Sequence, residues 1–219
     1  MRRNAILCAT LTMCMCWCMF GFAIPSADSA PAKITLTKEK PILVDEKEKS
    51  VSVLAQVNGK YFFQTTRHAV VYSGGSNGDK SVFRSYANDQ DFYNALMKLS
   101  LKAGNNMTKE NGAKTFVEGD LLDVTVTWEG AKKEYSLDEV VLDSNKKPFQ
   151  MRFGGNQKNA LQFKTGCLLC LDSCPVGIVS NANYTMGAVE MRNEVIFKGN
   201  DKILPPDGSL VVIKVKAKS

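Results

Sequence analysis

Short segments in which apolar and polar residues alternate recur along this chain, and they constrain its fold more than any other feature. Residues 122–128 alternate strictly, and residues 51–57 form a valine-rich run that is followed by Asn58-Gly59. A period of two is typical of strands with one buried face, and Asn-Gly between apolar runs is the strongest short hairpin signal. The sequence therefore predicts a protein rich in β-structure, with a hairpin over residues 50–72.

Other short apolar runs predict further strands on both sides of these segments. They lie at residues 34–36, 42–44, 134–137, 176–179, 188–197 and 210–215. Glycine-rich stretches such as residues 74–78 interrupt the pattern and indicate loops. Strands do not alternate regularly with helices, so the pattern excludes a doubly wound parallel sheet.

One segment has the pattern of an amphipathic helix. Asn88 is a favourable N-cap, and Asp89 and Asp91 lie in the first turn. The apolar residues that follow have a period of 3.6 and continue to Gly104; they are Phe92, Ala95, Leu96, Leu99 and Ala103. We therefore expect an α+β fold in a single domain: a mostly antiparallel β-sheet with one main α-helix packed on it, and long loops.

The N-terminal residues have the order of a secretory signal peptide. A short basic start contains two arginines, residues 5–23 carry no charge, and Ala30-Pro31-Ala32 offers a cleavage site. This order predicts the removal of residues 1–32 and leaves residues 33–219 as one domain of an exported protein, periplasmic or associated with the cell envelope. General and twin-arginine export both remain open. No membrane span would remain after cleavage, although an uncleaved leader is long enough to anchor the chain.

Charge and histidine content exclude several classes of function. The formal net charge is +6, from 28 basic and 22 acidic residues, and the lysines are scattered along the chain. Proteins that bind nucleic acid cluster their basic residues on one face, so we expect no nucleic-acid partner. His68 is the only histidine, and no hydrolytic triad suggests itself around it. The sequence therefore predicts a protein that is not an enzyme.

Three cysteines form a tight run in the second half of the chain. Of seven cysteines, four lie in the leader, and the others are Cys167, Cys170 and Cys174, the last followed by Pro175. A Cys-x-x-Cys turn can direct two sulfurs at one metal centre, and thiolates are ligands for zinc and for iron–sulfur clusters. The spacing predicts a soft-metal or redox site in a cysteine loop over residues 165–176.

The run resembles the ligand pattern of bacterial ferredoxins with its first cysteine missing, because Lys164 stands where that cysteine belongs. An iron–sulfur cluster bound here would need to depart from ferredoxin geometry, to be a three-iron centre, to recruit another ligand in the chain, or to share ligands across a homodimer. His68 is the candidate for a fourth ligand, since three thiolates and one imidazole form a closed set. A His68 nitrogen within about 4 Å of two cysteine sulfurs in the folded protein would favour a metal site.

Other interpretations of the same residues remain open. An exported protein commonly forms disulfides, so two of the three cysteines could be bridged and the third left as a free thiol. Zinc could hold the loop as a structural clip. A lone histidine beside a strand is more often a half-buried structural side chain than a ligand. A further alternative is an enzyme in which Cys174 or Cys170 is the nucleophile and His68 the base.

Four stretches together resemble the YdjY-like family of exported bacterial proteins. They are Arg67-His68-Ala-Val-Val, Phe92-Tyr93-Asn94-Ala95-Leu96 with Gly104-Asn105-Asn106, Phe153-Gly154-Gly155-Asn156, and Thr165-Gly166-Cys167 through Ser180-Asn181-Ala182. The resemblance implies a ferredoxin-like protein that binds an iron–sulfur cluster, such as a four-iron cluster, through Cys167, Cys170 and Cys174. Its function would be electron transfer to an unknown redox partner protein, with Lys164 or nearby backbone N–H groups tuning the centre. An exported β-rich structural or binding module, pinned by a disulfide or zinc, is the alternative.

Overall fold

The computed structural model describes residues 35–218. The predicted signal peptide over residues 1–32 lies outside the described residues. The prediction of a strand at residues 34–36 is wrong for its two described residues, which form no strand. Within residues 35–218, no helix combines the length and hydrophobicity needed to cross a membrane.

The described part of the chain contains twelve strands and three short α-helices. The strands are β1 (Ile42–Asp45), β2 (Ser50–Val57), β3 (His68–Tyr72), β4 (Ser81–Ser85), β5 (Leu121–Thr127), β6 (Tyr135–Ser136), β7 (Val141–Asp143), β8 (Met151–Phe153), β9 (Cys167–Cys170), β10 (Val179–Asn181), β11 (Phe197–Gly199) and β12 (Leu210–Ala217). The helices are α1 (Asp89–Lys98), α2 (Leu137–Val140) and α3 (Gln157–Phe163), and a 3-10 helix spans Gly59–Phe62.

The main sheet closes on itself. Its strand order is β1-β2-β12-β5-β8-β10-β9-β3-β4, with β6 paired to β5, and β4 also pairs with β2. The eight strands from β2 to β4 therefore form a closed ring, to which β1 adds at the edge of β2. Most pairs are antiparallel, but β3 with β4 and β9 with β10 are parallel. A closed ring leaves few free edges, and β2 is buried along nearly its whole length.

The α+β fold class predicted from the sequence is wrong. The protein is mostly β, with its sheet closed into a ring and only short helices in the described residues. Helix α1 has the predicted Asn88 cap, which accepts from the Asp91 N–H, but it ends at Lys98. Ser100 has a φ of +58°, a left-handed conformation that cannot continue an α-helix, so the predicted extension to Gly104 does not form.

The predicted hairpin over residues 50–72 is also wrong. Strand β2 pairs with β1, β12 and β4, and has no pairing with β3. At Asn58-Gly59 the chain enters the 3-10 helix, because the Gly59 N–H donates to the Asp207 carboxylate at 2.8 Å and the Asn58 N–H donates to the Val82 carbonyl at 2.9 Å. Long-range partners thus replace the cross-strand hydrogen bonds of a two-residue turn.

Several predicted strands are confirmed. The alternating residues 122–128 correspond to β5, residues 51–57 lie in β2, and residues 210–215 lie in β12. The prediction over residues 188–197 is wrong except at Phe197, where β11 begins, because the preceding residues form turns and irregular structure.

Candidate metal site

Strands β3 and β9 bring His68 next to two of the cysteines. The strands are antiparallel neighbours, and their register places His68 opposite Cys170 and Val71 opposite Cys167, with shifts between these positions. His68 Nδ1 lies 3.6 Å from Cys167 Sγ and 3.8 Å from Cys170 Sγ. On a regular strand, residues three apart such as Cys167 and Cys170 would face opposite sides of the sheet. The irregular pairing of β9 with β3 accompanies the position of both sulfurs beside one imidazole.

Cys174 lies in the loop between β9 and β10 and packs with Cys167, Cys170 and Val71 in one buried cluster. The donor atoms that all lie within 4.8 Å of one another are those of His68, Cys167 and Cys170, so Cys174 is the more distant fourth candidate. Two asparagines at the start of α3 hold this loop: the side chain of Asn156, the N-cap residue, donates to the Cys174 carbonyl at 3.2 Å, and that of Asn159 donates to the Pro175 carbonyl at 2.9 Å. These amide contacts fix the backbone that carries the third sulfur.

The four side chains are closed off from solvent. Cys167 and Cys170 are fully buried, Cys174 is 3% exposed and His68 is 7% exposed. All three cysteines are free thiols, so the disulfide alternative is not formed in the described structure. His68, Cys167 and Cys170 form a group of potential metal ligands whose donor atoms all lie within 4.8 Å of one another.

The pKa values of the three thiols are shifted in different directions, mainly by hydrogen bonds among them. The Cys170 thiol, with help from His68, lowers the pKa of Cys167 well below its ordinary value in spite of burial. The same Cys170 donor lowers the pKa of Cys174. Because Cys170 donates to both neighbours and is buried, its own pKa is raised well above its ordinary value. Burial is the largest influence on His68 and opposes its charge, but the hydrogen bond with Cys167 and the negative charges of Cys167 and Cys174 together outweigh it and raise the pKa of the imidazole. The site thus favours negative sulfur at two positions.

A buried ion pair lies beside the cysteine cluster and joins the two chain segments that carry the candidate ligands. Arg67, which precedes His68, donates from Nε at 3.1 Å and from Nη2 at 2.7 Å to one oxygen of Asp172 in the cysteine loop. The Asp172 side chain is fully buried and that of Arg67 is 15% exposed. Burial opposes the charge of Arg67, but Asp172 and the nearby sulfurs of Cys174 and Cys170 hold the pKa of the guanidinium above its ordinary value.

Of the four site residues chosen from the sequence, His68, Cys167 and Cys170 have their donor atoms within 4.8 Å of one another, and Cys174 packs in the same buried cluster as the other two cysteines. The distances of His68 Nδ1 to two sulfurs meet the criterion of about 4 Å for a metal site. Lys164, expected to tune the centre, is exposed and ends α3 in a left-handed conformation. Sequence reasoning missed Arg67 and Asp172: Arg67 precedes His68 and Asp172 lies between Cys170 and Cys174, but nothing in the sequence indicates that these two charges pair.

Comparison with known proteins identifies the family. Residues 42–216 match the model of the YdjY domain. The chain belongs to the YdjY family. It is 50% identical over 192 residues to the Escherichia coli (strain K12) protein named "Uncharacterized protein YdjY", covering 86% of this chain and 85% of that YdjY protein. No solved structure matches the chain significantly. The predicted family membership is confirmed, whereas the ferredoxin-like description of the family stays a prediction.

Proposed function

We propose that this YdjY protein is an exported, non-enzymatic metal-binding protein that holds a single soft metal ion through Cys167, Cys170, Cys174 and His68. The observation that carries the proposal is the position of His68 Nδ1, at 3.6 and 3.8 Å from two buried sulfurs. Three thiolates and one imidazole are an established donor set for zinc, and soft sulfur ligands also suit copper(I) and iron.

The distances favour one ion over a large cluster. Zinc lies about 2.3 Å from sulfur and about 2.0–2.1 Å from nitrogen, so tetrahedral geometry separates the two ligand atoms by about 3.6 Å. The two nitrogen–sulfur distances at the site fit this separation. In a four-iron cluster each thiolate binds a different iron, which holds the ligand atoms apart by the width of the cluster. The crowded arrangement therefore argues for a mononuclear site.

A redox-active iron centre in the same donor set is the second candidate. The Cys-x-x-Cys-x-x-x-Cys-Pro run favours it, because this spacing resembles part of the ferredoxin ligand pattern. Two ligands share one iron in a two-iron cluster, which short ligand separations allow. Such a centre would transfer electrons to a redox partner protein, and His68 is the most exposed of the four proposed ligands.

Burial argues against catalysis at the site. Catalytic zinc keeps one coordination position open for water or substrate, whereas structural zinc is closed by four protein ligands. Here one chain supplies four donors, all buried, so sharing of ligands across a homodimer is not needed. In the periplasm or cell envelope, a bound ion would also protect the thiols from oxidation to a disulfide.

The deciding experiment is a metal analysis of the protein isolated anaerobically from its own compartment. We expect about one zinc or other soft ion per chain, no acid-labile sulfide, and an N-terminus near Lys33. Stoichiometric iron with sulfide and a brown colour would replace the single-ion proposal with the iron–sulfur candidate. A protein free of metal, with two cysteines bridged, would contradict both, and recovery in the cytoplasm with an intact leader would contradict export.

Gly177 provides a structural test of the site. An added Cβ at Gly177 would lie 2.6 Å from Ser180 Oγ, 3.0 Å from Cys170 Sγ and 3.3 Å from Cys174 Cβ. Because such contacts force the neighbours apart, Gly177→Ala should weaken metal binding by roughly 10–100-fold, the range seen when atoms supporting ligands are disturbed. Competition with a colorimetric chelator measures the affinity. Gly130→Ala is the control: its Cβ meets nothing within 4 Å, so backbone strain should reduce stability but leave metal affinity unchanged.

A further inference from the structure

Two hydroxyls beside the cysteine cluster are buried without a hydrogen-bond partner. They are Thr165 Oγ1 and Ser180 Oγ, and Ser180 is fully buried. Neighbouring polar side chains are satisfied: the Ser173 hydroxyl donates to the Asn181 carbonyl, and the Asn181 amide donates to the Leu171 carbonyl. An unsatisfied buried hydroxyl costs about 1–3 kcal/mol. The position of Ser180 therefore calls for a partner that the thiols alone do not provide.

Ser180 lies next to the central sulfur of the site. Strand β10 runs parallel to β9, and the register places Ser180 beside Cys170. The space that a Cβ on Gly177 would occupy is bordered by Ser180 Oγ at 2.6 Å and by Cys170 Sγ at 3.0 Å. Only the absence of a side chain at Gly177 leaves the hydroxyl and the sulfur facing the same small space.

The sulfur of Cys167, next to that of Cys170, already accepts a hydrogen bond from a polar side chain. The Asn77 amide, from the glycine-rich loop after β3, donates to Cys167 Sγ at 3.8 Å. Hydrogen bonds to metal-bound ligands orient them and tune the site, and sulfur ligates metal as the thiolate, which accepts hydrogen bonds. A metal-bound Cys170 sulfur would thus be the acceptor that Ser180 lacks.

We propose that Ser180 is a positioning residue of the metal site, whose hydroxyl donates a hydrogen bond to the metal-bound sulfur of Cys170 and strengthens metal binding. This inference rests on the proposed function, since it requires an ion at the cysteine cluster. It assigns the strand β10 a direct part in the site, in addition to its pairing with β9 and β8.

The test compares Ser180→Ala with the unchanged protein and with Ser85→Ala. Ser85 is equally buried, but its hydroxyl already donates to the Ala87 carbonyl and accepts from the Ala87 N–H. In zinc competition against a chelator, Ser180→Ala should bind 10–100-fold more weakly, and its cobalt(II) form should show a shifted sulfur-to-metal absorption. Ser85→Ala should retain both the affinity and the spectrum.

The metal-free protein gives the second readout. Removal of a hydroxyl that has no partner should leave the metal-free Ser180→Ala protein as stable as the unchanged one, or more stable, while its metal-bound form loses stability. If Ser180 had a purely structural role, Ser180→Ala would lower the stability of the metal-free and the metal-bound protein together, and this result would overturn the inference. An unchanged metal affinity and cobalt spectrum would also overturn it. If the unchanged protein binds none of zinc, cobalt, copper(I) and iron, the inference and the proposed function are both overturned.

Discussion

Replacement of Cys170 by serine should abolish stoichiometric metal binding and remove the response of the protein's stability to chelators. Cys170 Sγ lies 3.8 Å from His68 Nδ1, and Cys170 packs with Cys167 and Cys174 in one buried cluster. Serine is a poor ligand for soft ions, and three remaining donors leave a closed tetrahedral site incomplete. The Cys170→Ser protein should therefore behave like the metal-free form under all conditions.

The size of the effect follows from linkage between binding and folding. A ligand that binds only the folded state at a free concentration roughly 1,000 times its Kd stabilises that state by about 4 kcal/mol. For a chain of this length, such a difference shifts the melting temperature by about 8–16 °C. We expect EDTA to lower the melting temperature of the unchanged protein by this amount and to leave that of Cys170→Ser unaffected.

A matched control separates the loss of a ligand from the burial of a hydroxyl. Ala69 lies on β3 next to His68 and is fully buried, but it belongs to the main hydrophobic core and offers no donor to the site. Ala69→Ser should destabilise the protein and yet keep its full response to EDTA. A Cys170→Ser protein that still binds one ion per chain with the original affinity would contradict the assignment of the ligands.

The ligands were predictable from sequence because residue type encodes donor chemistry. Three thiols in a short run and a single histidine limit the choice of soft ligands to very few atoms. Their convergence was not predictable, since His68 and Cys167 are 99 residues apart in the chain. They meet only because β3 pairs with β9, and strand alternation specifies which face of a strand is buried but not which strand is its neighbour.

Closure of the sheet was missed for the same reason. Strand β2 has the alternation of a strand, but nothing in its residues indicates pairing with β12 on one side and β4 on the other. The parallel pair β9 and β10 is joined by residues 171–178, a connection shorter than the helical crossover usual between parallel strands. That short connection carries Cys174, so the site and the unusual topology occupy the same loop.

The significance of Ser180 and Asp172 emerges only from the fold. Serine and aspartate are common in loops, and neither position has a sequence pattern that distinguishes it. Their meaning depends on burial: Ser180 lacks a partner, and Asp172 is fully buried against Arg67. Such properties come from the packing of distant segments, which single-sequence patterns do not contain.

Replacement of Asp172 by alanine should destabilise the metal-free protein by about 3–5 kcal/mol, because it leaves the Arg67 guanidinium without the partner that offsets its burial. Both Nε and Nη2 of Arg67 donate to Asp172, whose other oxygen accepts from the Gly187 N–H at 3.3 Å. Urea unfolding in the presence of EDTA measures the loss without any contribution from metal. Glu48→Ala is the control, since Glu48 pairs with Lys216 at 2.9 Å on the exposed surface and should matter little.

A double substitution then distinguishes the stability of the ion pair from its electrostatic effect on the site. Replacing Arg67 by methionine and Asp172 by leucine removes both buried charges, so the double variant should recover most of the stability that either single substitution loses. Metal affinity should nevertheless stay below that of the unchanged protein, because the charge of Arg67 lies near the sulfurs of Cys174 and Cys170 and would stabilise both as metal-bound thiolates. Chelator competition measures this difference. Full recovery of both stability and affinity would mean that the pair only holds the loop in place, and that its charge contributes nothing to binding.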